Sequence, residues 1–407
     1  MVVIGKIRHV DRSKGEFFLL LPILWLGLLV SVPNICAGAN VVAWGAGTTY
    51  NPANTNDYGQ SIVPADLTNA VQVAGGWWHS LALNADGTLE GWGDDSLGQT
   101  SFYPAGATNY VAVACGLWNS LALKSDGTVA AAGYSYNGQT AVPANLSNVV
   151  AIACGFYHCL ALKSDGTVVA WGGQGASVDY GQGTVPAGLS NVVAIAGGLS
   201  HSLVLKSDGT LFAWGDNTYG ETNIPAGLTD VVAIAAGSAD NLALKSDGTV
   251  VAWGLNTYGE TNVPTGLSNV VAIAAGAWHD LALKNDGTVV AWGAGIGTDG
   301  YVDYQQNVVP TNLNNVIQIA AGKVHSLALV GNDPPVTSVL LAEPAPGTNG
   351  FSVSLPTQNG RVYQLEYKNS LMDSSWISLP LHAGTGGVLQ LTDPAGTLQR
   401  FYRVLRW

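Results

Sequence analysis

The sequence contains few charged residues, and basic residues are the scarcer kind. Only 10% of the 407 residues are charged, with 15 Lys and Arg against 27 Asp and Glu, so the formal net charge is −12. An acidic surface repels phosphate backbones, which argues against nucleic acid as a partner. Low charge together with 52 Gly favours an all-β protein with many tight turns over a helical one.

Motifs that carry catalysis or hold cofactors are also missing. The sequence has no Gly-x-Ser-x-Gly, no Gly-rich phosphate loop and no His-Glu-x-x-His. No repeat has the closely spaced Asp and Asn residues of a calcium loop. We therefore predict a protein that is not an enzyme and that binds neither a cofactor nor a metal.

A long apolar run occurs only near the N-terminus. Residues 17–32 are apolar, follow a basic start and precede the small residues Ala37-Gly38-Ala39. The run is interrupted by Pro22 and is shorter than the ~20 residues of a membrane-spanning helix. We predict a signal peptide over residues 1–39, hence a secreted or periplasmic protein with no membrane span after cleavage. The alternative is a retained membrane anchor.

A repeat dominates the rest of the sequence. Asp-Gly pairs recur at intervals of 39 to 43 residues, and each lies between a run of the Leu-Ala-Leu type and a run of the Ala-Trp-Gly type, in which Ala132 replaces the Trp once. Each repeat contains three strand-like runs, such as residues 269–276, 279–284 and 288–293, in which alternation and β-branching predict strands. Asp-Gly between the second and third runs predicts a β-hairpin. A repeat of this length indicates a solenoid or a propeller.

The two ends of the repeat region complete one another. The first Ala-Trp-Gly, at 43–45, has no Leu-Ala-Leu before it, and the last Leu-Ala-Leu, at 327–329, has no Ala-Trp-Gly after it. Pairing of these ends would complete a seventh blade and remove the open sheet edges. We predict an all-β fold: a seven-bladed β-propeller over 40–330 closed by its terminal strands, a Pro/Gly-rich linker over 331–350, and a small β-sandwich-like module over 351–407.

The pattern GxxHSLALKSDGTVVAWGxNxYGQTxVP resembles the repeat of the regulator of chromosome condensation family over roughly residues 41–330. The nearer likeness is to compact bacterial members, which include β-lactamase inhibitor protein II. This resemblance implies a seven-bladed propeller whose loops on one face hold a protein partner with aromatic and acidic side chains. β-Lactamase inhibition and GTPase exchange are the activities it suggests by analogy, although such short repeats leave little room for the wedge of the exchange factors.

One pair of residues in each repeat varies while its surroundings stay constant. The pair is Ala277-Trp278 in one repeat and Leu199-Ser200 in another. Strand directions place all the pairs, and the connectors after Ala-Trp-Gly, on one face, opposite the Asp-Gly turns. A rigid scaffold with varied, aromatic side chains on one face is typical of a protein-binding surface. The predicted partner-binding residues are Trp77, Trp78, Trp118, Phe156, Tyr157 and Trp278, and the resemblance adds the acidic connector residues Asp94, Asp95, Asp216 and Glu221.

Two recurring polar positions are predicted to be structural. One is a His that precedes Leu-Ala-Leu, and because Asn119 and Asp240 replace it, we expect hydrogen bonds between blades rather than a metal site. The other is the Asp of each Asp-Gly, a residue that tolerates the positive φ of such turns. The His residues are His79, His158, His201, His279 and His325, and the Asp residues are Asp86, Asp126, Asp165, Asp208, Asp247 and Asp286.

Three cysteines follow residue 39, which is an odd number for an exported protein. Cys154 and Cys159 flank a tight turn and would face each other on antiparallel strands, at a Cα separation of about 4.5 to 5.5 Å that a disulfide accepts. A disulfide between them is one hypothesis, and buried free thiols are the other.

Together these patterns predict an exported, monomeric, non-enzymatic scaffold that binds an unknown protein partner through one aromatic face. An enzyme or small-molecule binder that uses the mouth of the axial channel is one alternative, and a purely architectural envelope protein is another. The aromatic side chains could also merely plug the channel mouth or be covered by the C-terminal module.

Overall fold

Short strands joined by tight turns make up the regular structure of the described residues. The structure is a computed structural model that describes residues 40–48, 56–102, 106–175, 177–294, 304–331, 342–347, 350–358, 361–369, 373, 376–384, 388–394 and 400–406. The predicted signal peptide, residues 1–39, lies outside the described residues. Within them, no helix has the length and apolar composition needed to cross a membrane.

The strands between Asn40 and Val330 form seven three-stranded antiparallel sheets, which we call blades. Blades 1 to 3 are β2 (Ala70–Gly75), β3 (His79–Asn84) and β4 (Leu89–Gly93); β5 (Tyr110–Cys115), β6 (Asn119–Lys124) and β7 (Val129–Gly133); and β8 (Val149–Cys154), β9 (His158–Lys163) and β10 (Val168–Gly172). Blades 4 to 6 are β11 (Val192–Gly197), β12 (His201–Lys206) and β13 (Leu211–Gly215); β14 (Val231–Ala236), β15 (Asp240–Lys245) and β16 (Val250–Gly254); and β17 (Val270–Ala275), β18 (His279–Lys284) and β19 (Val289–Gly293). The all-β fold with seven repeated sheets is therefore confirmed.

Blade 7 is built from both ends of the repeat region. It comprises β20 (Val316–Ala321), β21 (His325–Val330) and β1 (Asn40–Gly45), with Trp44 opposite Ser326. Blade 7 also contacts blade 1: the backbone N–H of Val73 donates to Gln318 Oε1 at 3.0 Å. The series of blades thus continues from the last one back to the first.

The place of each strand within a blade follows from the size and polarity of the strand's residues. The middle strand is covered on both sides by neighbouring blades, so Leu81, Ala82 and Leu83 are fully buried. The first strands of adjacent blades lie closest to one another, which places these small, Ala-rich strands around the axis. Each first strand has a register shift near its start, as between Val270 and Ala272. Such bulges increase the local twist of a strand.

The Asp-Gly hairpins are as predicted, but Asp and Gly have different functions in them. In blade 1 the carboxylate of Asp86 accepts the backbone N–H of Thr88 at 3.0 Å and its hydroxyl at 2.6 Å. The positive φ belongs to Gly87, at +79°, so tolerance of positive φ by Asp is not the reason for its recurrence. The same two hydrogen bonds recur in blades 2 to 6. In blade 1 the two bonds to Thr88 lower the pKa of Asp86.

The C-terminal residues form two further three-stranded sheets. One contains β22 (Ala342–Gly347), β23 (Gly350–Pro356) and β26 (Val388–Asp393), and the other contains β24 (Val362–Lys368), β25 (Ile377–Ala383) and β27 (Phe401–Arg406). Strand β22 lies within the segment whose Pro and Gly content predicted a linker. Because β22 is at the edge of its sheet, its prolines remove no central ladder hydrogen bond.

The C-terminal sheets contact the propeller beside the Asp-Gly turn of blade 3. The backbone N–H of Leu381 donates to the carbonyl of Ser164 at 2.9 Å. Leu381 and Val362 belong to the same apolar cluster as Val150 and Val193. This contact is on the face of the Asp-Gly turns, opposite the variable pairs, so these residues of the module do not cover the predicted binding face.

Candidate interaction face

Backbone hydrogen bonds hold the variable pairs in place, whatever their side chains are. In five of the seven blades the N–H of the first residue of a pair donates to the carbonyl of the Gly that precedes the pair in the next blade, and Leu199 donates to Ser238 instead. Trp77 donates to Gly116 at 3.3 Å and Phe156 to Gly198 at 3.1 Å, and Lys323 of blade 7 donates to Gly76 of blade 1 at 3.2 Å. Since only main-chain atoms take part, the pair can vary without loss of these contacts.

The glycines of this ring allow the close approach of the blades. A Cβ atom on Gly116 would lie 2.5 Å from the carbonyl oxygen of Gly155, and one on Gly322 would lie 2.4 Å from that of Gly76. Both distances are far below a normal van der Waals contact. A constant Gly therefore adjoins each variable pair for a steric reason.

The second residue of each pair is tied to a connector. The carbonyl of Trp78 accepts the N–H of Asp94 at 2.8 Å, and that of Trp118 accepts the N–H of Tyr134 at 2.8 Å. Pairs and connectors thus lie on one face of the propeller. This arrangement was predicted from strand directions alone.

Aromatic side chains of the pairs and connectors form one continuous cluster on this face. Trp77 packs edge-on against Phe156 with ring centroids 4.5 Å apart, and Trp78 stacks on Trp118 at 5.7 Å. Trp77 and Trp78 touch each other at 5.2 Å. Connector tyrosines extend the cluster, which we call the aromatic face: Tyr58, Trp77, Trp78, Trp118, Tyr134, Tyr136 and Phe156.

A lysine lies at the edge of the aromatic face. Lys323 Nζ is 4.4 Å from the ring centroid of Trp77, 4.5 Å from that of Trp78 and 5.3 Å from that of Trp278. The ammonium donates to Asn56 Oδ1 at 3.1 Å and forms no ion pair with any described residue. Burial lowers the pKa of Lys323 to about 8. Cation–π contacts of this kind hold a charge where water is partly excluded.

The predicted acidic residues separate into two groups. Asp95 is exposed, and Asp216 is half-buried, with both carboxylates accepting hydrogen bonds from their own connectors. Asp94 and Glu221 are only 8% and 2% exposed, which corrects their prediction as surface contacts. Asp94 accepts the side-chain amide of Gln99, and Glu221 accepts the N–H of Tyr219, so these two carboxylates stabilise connector turns.

Of the remaining predicted aromatics, Trp278 lies beside Lys323 and Tyr258, whereas Tyr157 is half-buried in blade 3. Sequence reasoning missed the connector tyrosines. The signal was present, because a Tyr precedes the connector Gly in most repeats, as in the segment Tyr219-Gly220-Glu221. Two of these side chains, Tyr180 and Tyr219, are exposed. Tyr136, at a different position of its connector, is 82% exposed.

The His position has the structural role that was predicted. His79 Nε2 is 2.8 Å from Ser120 Oγ of blade 2, and His158 Nε2 is 2.9 Å from Ser202 Oγ of blade 4. Burial lowers the pKa of His79 to about 4 and that of His158 to about 3, so both are neutral near pH 7. In the part of the chain that the structure describes, no group of three His, Cys, Asp or Glu could hold a metal ion.

The disulfide hypothesis is not supported by the structure. Cys154 and Cys159 do face each other across β8 and β9, but their Sγ atoms are 4.0 Å apart and the thiols are free. A disulfide requires about 2.05 Å between sulfurs. Asn119 of blade 2 donates its amide to Cys159 Sγ at 3.4 Å, so this thiol takes the place of the Ser hydroxyl found in other blades.

Comparison with known families decides what kind of repeat this is. Six segments match the model described as the regulator of chromosome condensation (RCC1) repeat: residues 70–99, 110–139, 149–182, 192–221, 231–260 and 270–300. The chain belongs to this repeat family. Each RCC1 match begins with the first strand of a blade, and the first five end at the connector Gln or Glu. Blade 7, which is assembled from both ends of the repeat region, lies outside the matched segments.

Solved structures of other proteins have a similar fold, and one of them, Prp20, is described as yeast RCC1. Prp20p from Saccharomyces cerevisiae, whose structure is described with its binding properties to Gsp1p and histones, is 22% identical, with a TM-score of 0.58 over 74% of this chain and 92% of that chain. Human WBSCR16 is 22% identical, with a TM-score of 0.54 over 72% of this chain and 99% of that chain. The ectodomain of the receptor kinase CR4 from Physcomitrella patens is 20% identical, with a TM-score of 0.53 over 68% and 77%. No curated protein sequence matches the chain significantly.

The RCC1 repeat explains what is constant in each blade. The Trp of every third strand except that of blade 2 donates its Nε1–H to the carbonyl of a connector Gln or Glu, as Trp92 does to Gln60 at 2.8 Å. The middle-strand leucines fill the space between blades. The variable pair takes part in neither function, so this RCC1 propeller can change the pair without changing its fold.

Proposed function

We propose that this RCC1-repeat protein is an exported, non-enzymatic scaffold that binds a partner protein through the aromatic face. The observation that carries the proposal is the continuous aromatic cluster, built on pair positions whose residues vary from blade to blade. Clustered Trp and Tyr residues on a rigid surface are the usual anchors of protein interfaces.

Polar groups on the same face suggest the chemistry of the partner. Among the described residues, the buried indole N–H of Trp77 has no acceptor, and the ammonium of Lys323 has no carboxylate partner. A partner side chain that brings a carboxylate to this point would pair with the ammonium of Lys323. Asp95 and Asp216 lie in connectors of the same face, and the whole chain has a net charge of −12. We propose a partner that is basic overall and inserts one acidic side chain beside Lys323.

Export and the absence of catalysis are parts of the same proposal. Residues 1–39 have the basic start, apolar run and small residues of a signal peptide. The recurring Asp and His side chains, which could otherwise be taken for catalytic groups, are hydrogen-bonded within turns and between blades. Prp20p, a similar propeller, is described as binding the proteins Gsp1p and histones, which supports a binding function. Repeats of 39 to 43 residues leave little room for the wedge of the exchange factors, so we infer binding rather than GTPase exchange.

The experiment compares aromatic residues of the aromatic face with an aromatic residue outside it. A partner is isolated from the extracellular or periplasmic fraction of the native host with the chain that begins at Asn40, and its affinity is then measured by calorimetry. We expect Trp78→Ala and Trp118→Ala to weaken binding, at least one of them by about 30-fold or more, the loss typical of an anchor residue.

Phe212→Ala is the matched control, because Phe212 is an exposed aromatic residue of β13 outside the aromatic face. It should leave the affinity unchanged, and circular dichroism should show all three variants folded. Unchanged affinity in both Trp variants, together with a loss in the Phe212 variant, would contradict the assignment of the face.

A further inference from the structure

Each pair of neighbouring blades is joined by a buried polar contact between their middle strands. The first residue of one middle strand meets the second residue of the next, as His79 meets Ser120 and His201 meets Asn241. The second residue also commonly donates to the carbonyl of a connector Gln or Glu: Ser80 donates to Gln60 at 3.0 Å. Because that hydrogen is used on the connector, the ring N–H of the His supplies the hydrogen of the contact between blades, as His325 does to Ser80. The same connector bond is made by Ser202, Asn241 and Ser326.

The contact between blades 5 and 6 is different, because both of its residues are carboxylic acids. Asp240 occupies the position of the His, and Asp280 occupies the position of the Ser. Asp240 is 2% exposed and Asp280 is fully buried, and the equivalence with the contact of His79 and Ser120 makes each carboxyl group the polar neighbour of the other. No described donor reaches either oxygen of Asp280 or Oδ2 of Asp240.

Two further acids lie in the same sector of the propeller. The connector position that is Gln60, Gln99, Gln139, Gln182 or Gln306 elsewhere is Glu221 before blade 5 and Glu260 before blade 6. Glu260 is buried, its Oε2 accepts the N–H of Tyr258, and its Oε1 has no donor among the described residues. Four positions that are mostly neutral in the other sectors are thus acidic in this one.

Two adjacent buried carboxylates with no cation and no donor can coexist only if a proton lies between them. We propose that Asp240 and Asp280 share one proton, and that this acid pair holds blades 5 and 6 together more strongly at acidic than at alkaline pH. Loss of the proton to solvent leaves two buried anions beside Glu260. Their repulsion then acts across the contact between the two blades.

The direction of the pH effect follows from the groups that face the pair. Desolvation, and then the charges of Glu260 and Glu221, raise the pKa of Asp240 well above its ordinary value. Desolvation, and then the charges of Asp240 and Glu260, raise the pKa of Asp280 well above its ordinary value. A raised pKa means that the folded state binds more protons, so stability is full below about pH 4 and is lost as pH rises through the folded-state pKa. The neighbouring His201 and His279 form hydrogen bonds with Asn241 and Ser326 and have pKa values lowered to about 4 and about 3. They do not titrate in the range of interest.

Asp280→Asn tests the pair, because an amide imitates the protonated acid in size and in its ability to donate. The folding equilibrium constant is measured by urea denaturation between pH 5 and pH 8. For the wild-type chain from Asn40 we expect it to fall as pH rises, by up to tenfold per pH unit for one extra bound proton. The variant should show a much flatter profile and be the more stable protein at pH 8.

Two controls keep the test decisive. Ser202→Ala removes the hydroxyl at the equivalent contact between blades 3 and 4, and it should lower stability equally at every pH from 5 to 8. Asp240→Asn is the second variant should Asp280→Asn fail to fold, since Asn119 already occupies that position in blade 2. In both Asp variants the infrared band of a protonated carboxylic acid, expected for the wild type at pH 7, should be lost. A flat wild-type profile, or an unchanged slope and band in the variants, would overturn the proposal.

Discussion

At the level of single residues, the constant Trp of each third strand acts through both its ring and its N–H. Trp253 is buried against its neighbours, and its Nε1–H donates to the carbonyl of Glu221 at 3.0 Å. Recurrence of Trp at one position of the repeat predicts that it packs between blades, but it does not predict the hydrogen bond. It depends on a connector carbonyl 32 residues away, a contact that exists only after the blades have packed.

The first prediction at this scale concerns that Trp. Trp253→Ala should lower the free energy of unfolding by about 3 to 5 kcal/mol, because it leaves a cavity between blades and an unpaired carbonyl. Trp278→Ala is the matched control: the same residue type on the variable pair is half-buried and should cost much less. Denaturant titration measures both values. Equal losses in the two variants would mean that the aromatic face, like the core, is structural.

At the level of strands and turns, repetition made the prediction reliable. Hairpins at Asp-Gly, such as β18 to β19, and the pairing of β1 with β21 follow from the positions of short recurring motifs. Strand direction also predicted that the variable pairs and the Asp-Gly turns lie on opposite faces of the propeller. The aromatic contacts did not, because Trp77 touches Phe156 across non-adjacent blades, and their distance depends on the diameter of the ring. The free state of Cys154 and Cys159 could not be predicted either, because strand register does not determine the distance between their sulfur atoms.

The second prediction concerns β1. A chain that begins at Gly47 lacks β1, which exposes β21 as a sheet edge and removes Trp44 from its contacts with Leu281 and Leu283. We expect the melting temperature to fall by more than about 10 °C, with aggregation, because the loss includes a buried Trp and a full ladder of hydrogen bonds. A chain that begins at Asn40 retains the strand and should melt as the parent does. Equal melting of the two truncated chains would contradict the contribution of the N-terminal strand.

At the level of the whole molecule, the two faces of the propeller have different contacts. The variable pairs and connectors carry the aromatic face, whereas the C-terminal sheets contact the Asp-Gly side of blade 3. The sequence predicted a separate C-terminal β module but left open whether it covers the aromatic side chains. The answer depends on a hydrogen bond between Leu381 and Ser164, and no motif around Leu381 predicts this contact. The residues of the module that contact the propeller therefore do not cover the opposite face.

The third prediction tests this arrangement without a partner. In a chain that ends at Gly331, loss of Leu381 and Val362 uncovers the cluster around Val150, so amide hydrogen exchange should quicken in residues 149–154 and 163–167. Exchange at residues 116–119 and 133–139, which carry Trp118 and the connector tyrosines, should be unchanged, because their hydrogen bonds are made within the propeller. Mass spectrometry of peptides from both chains measures the difference, and Leu381→Ala in the full chain serves as a milder variant. Faster exchange at 116–119 and 133–139, with no change at blade 3, would place the module on the aromatic face and remove the surface on which the proposed function depends.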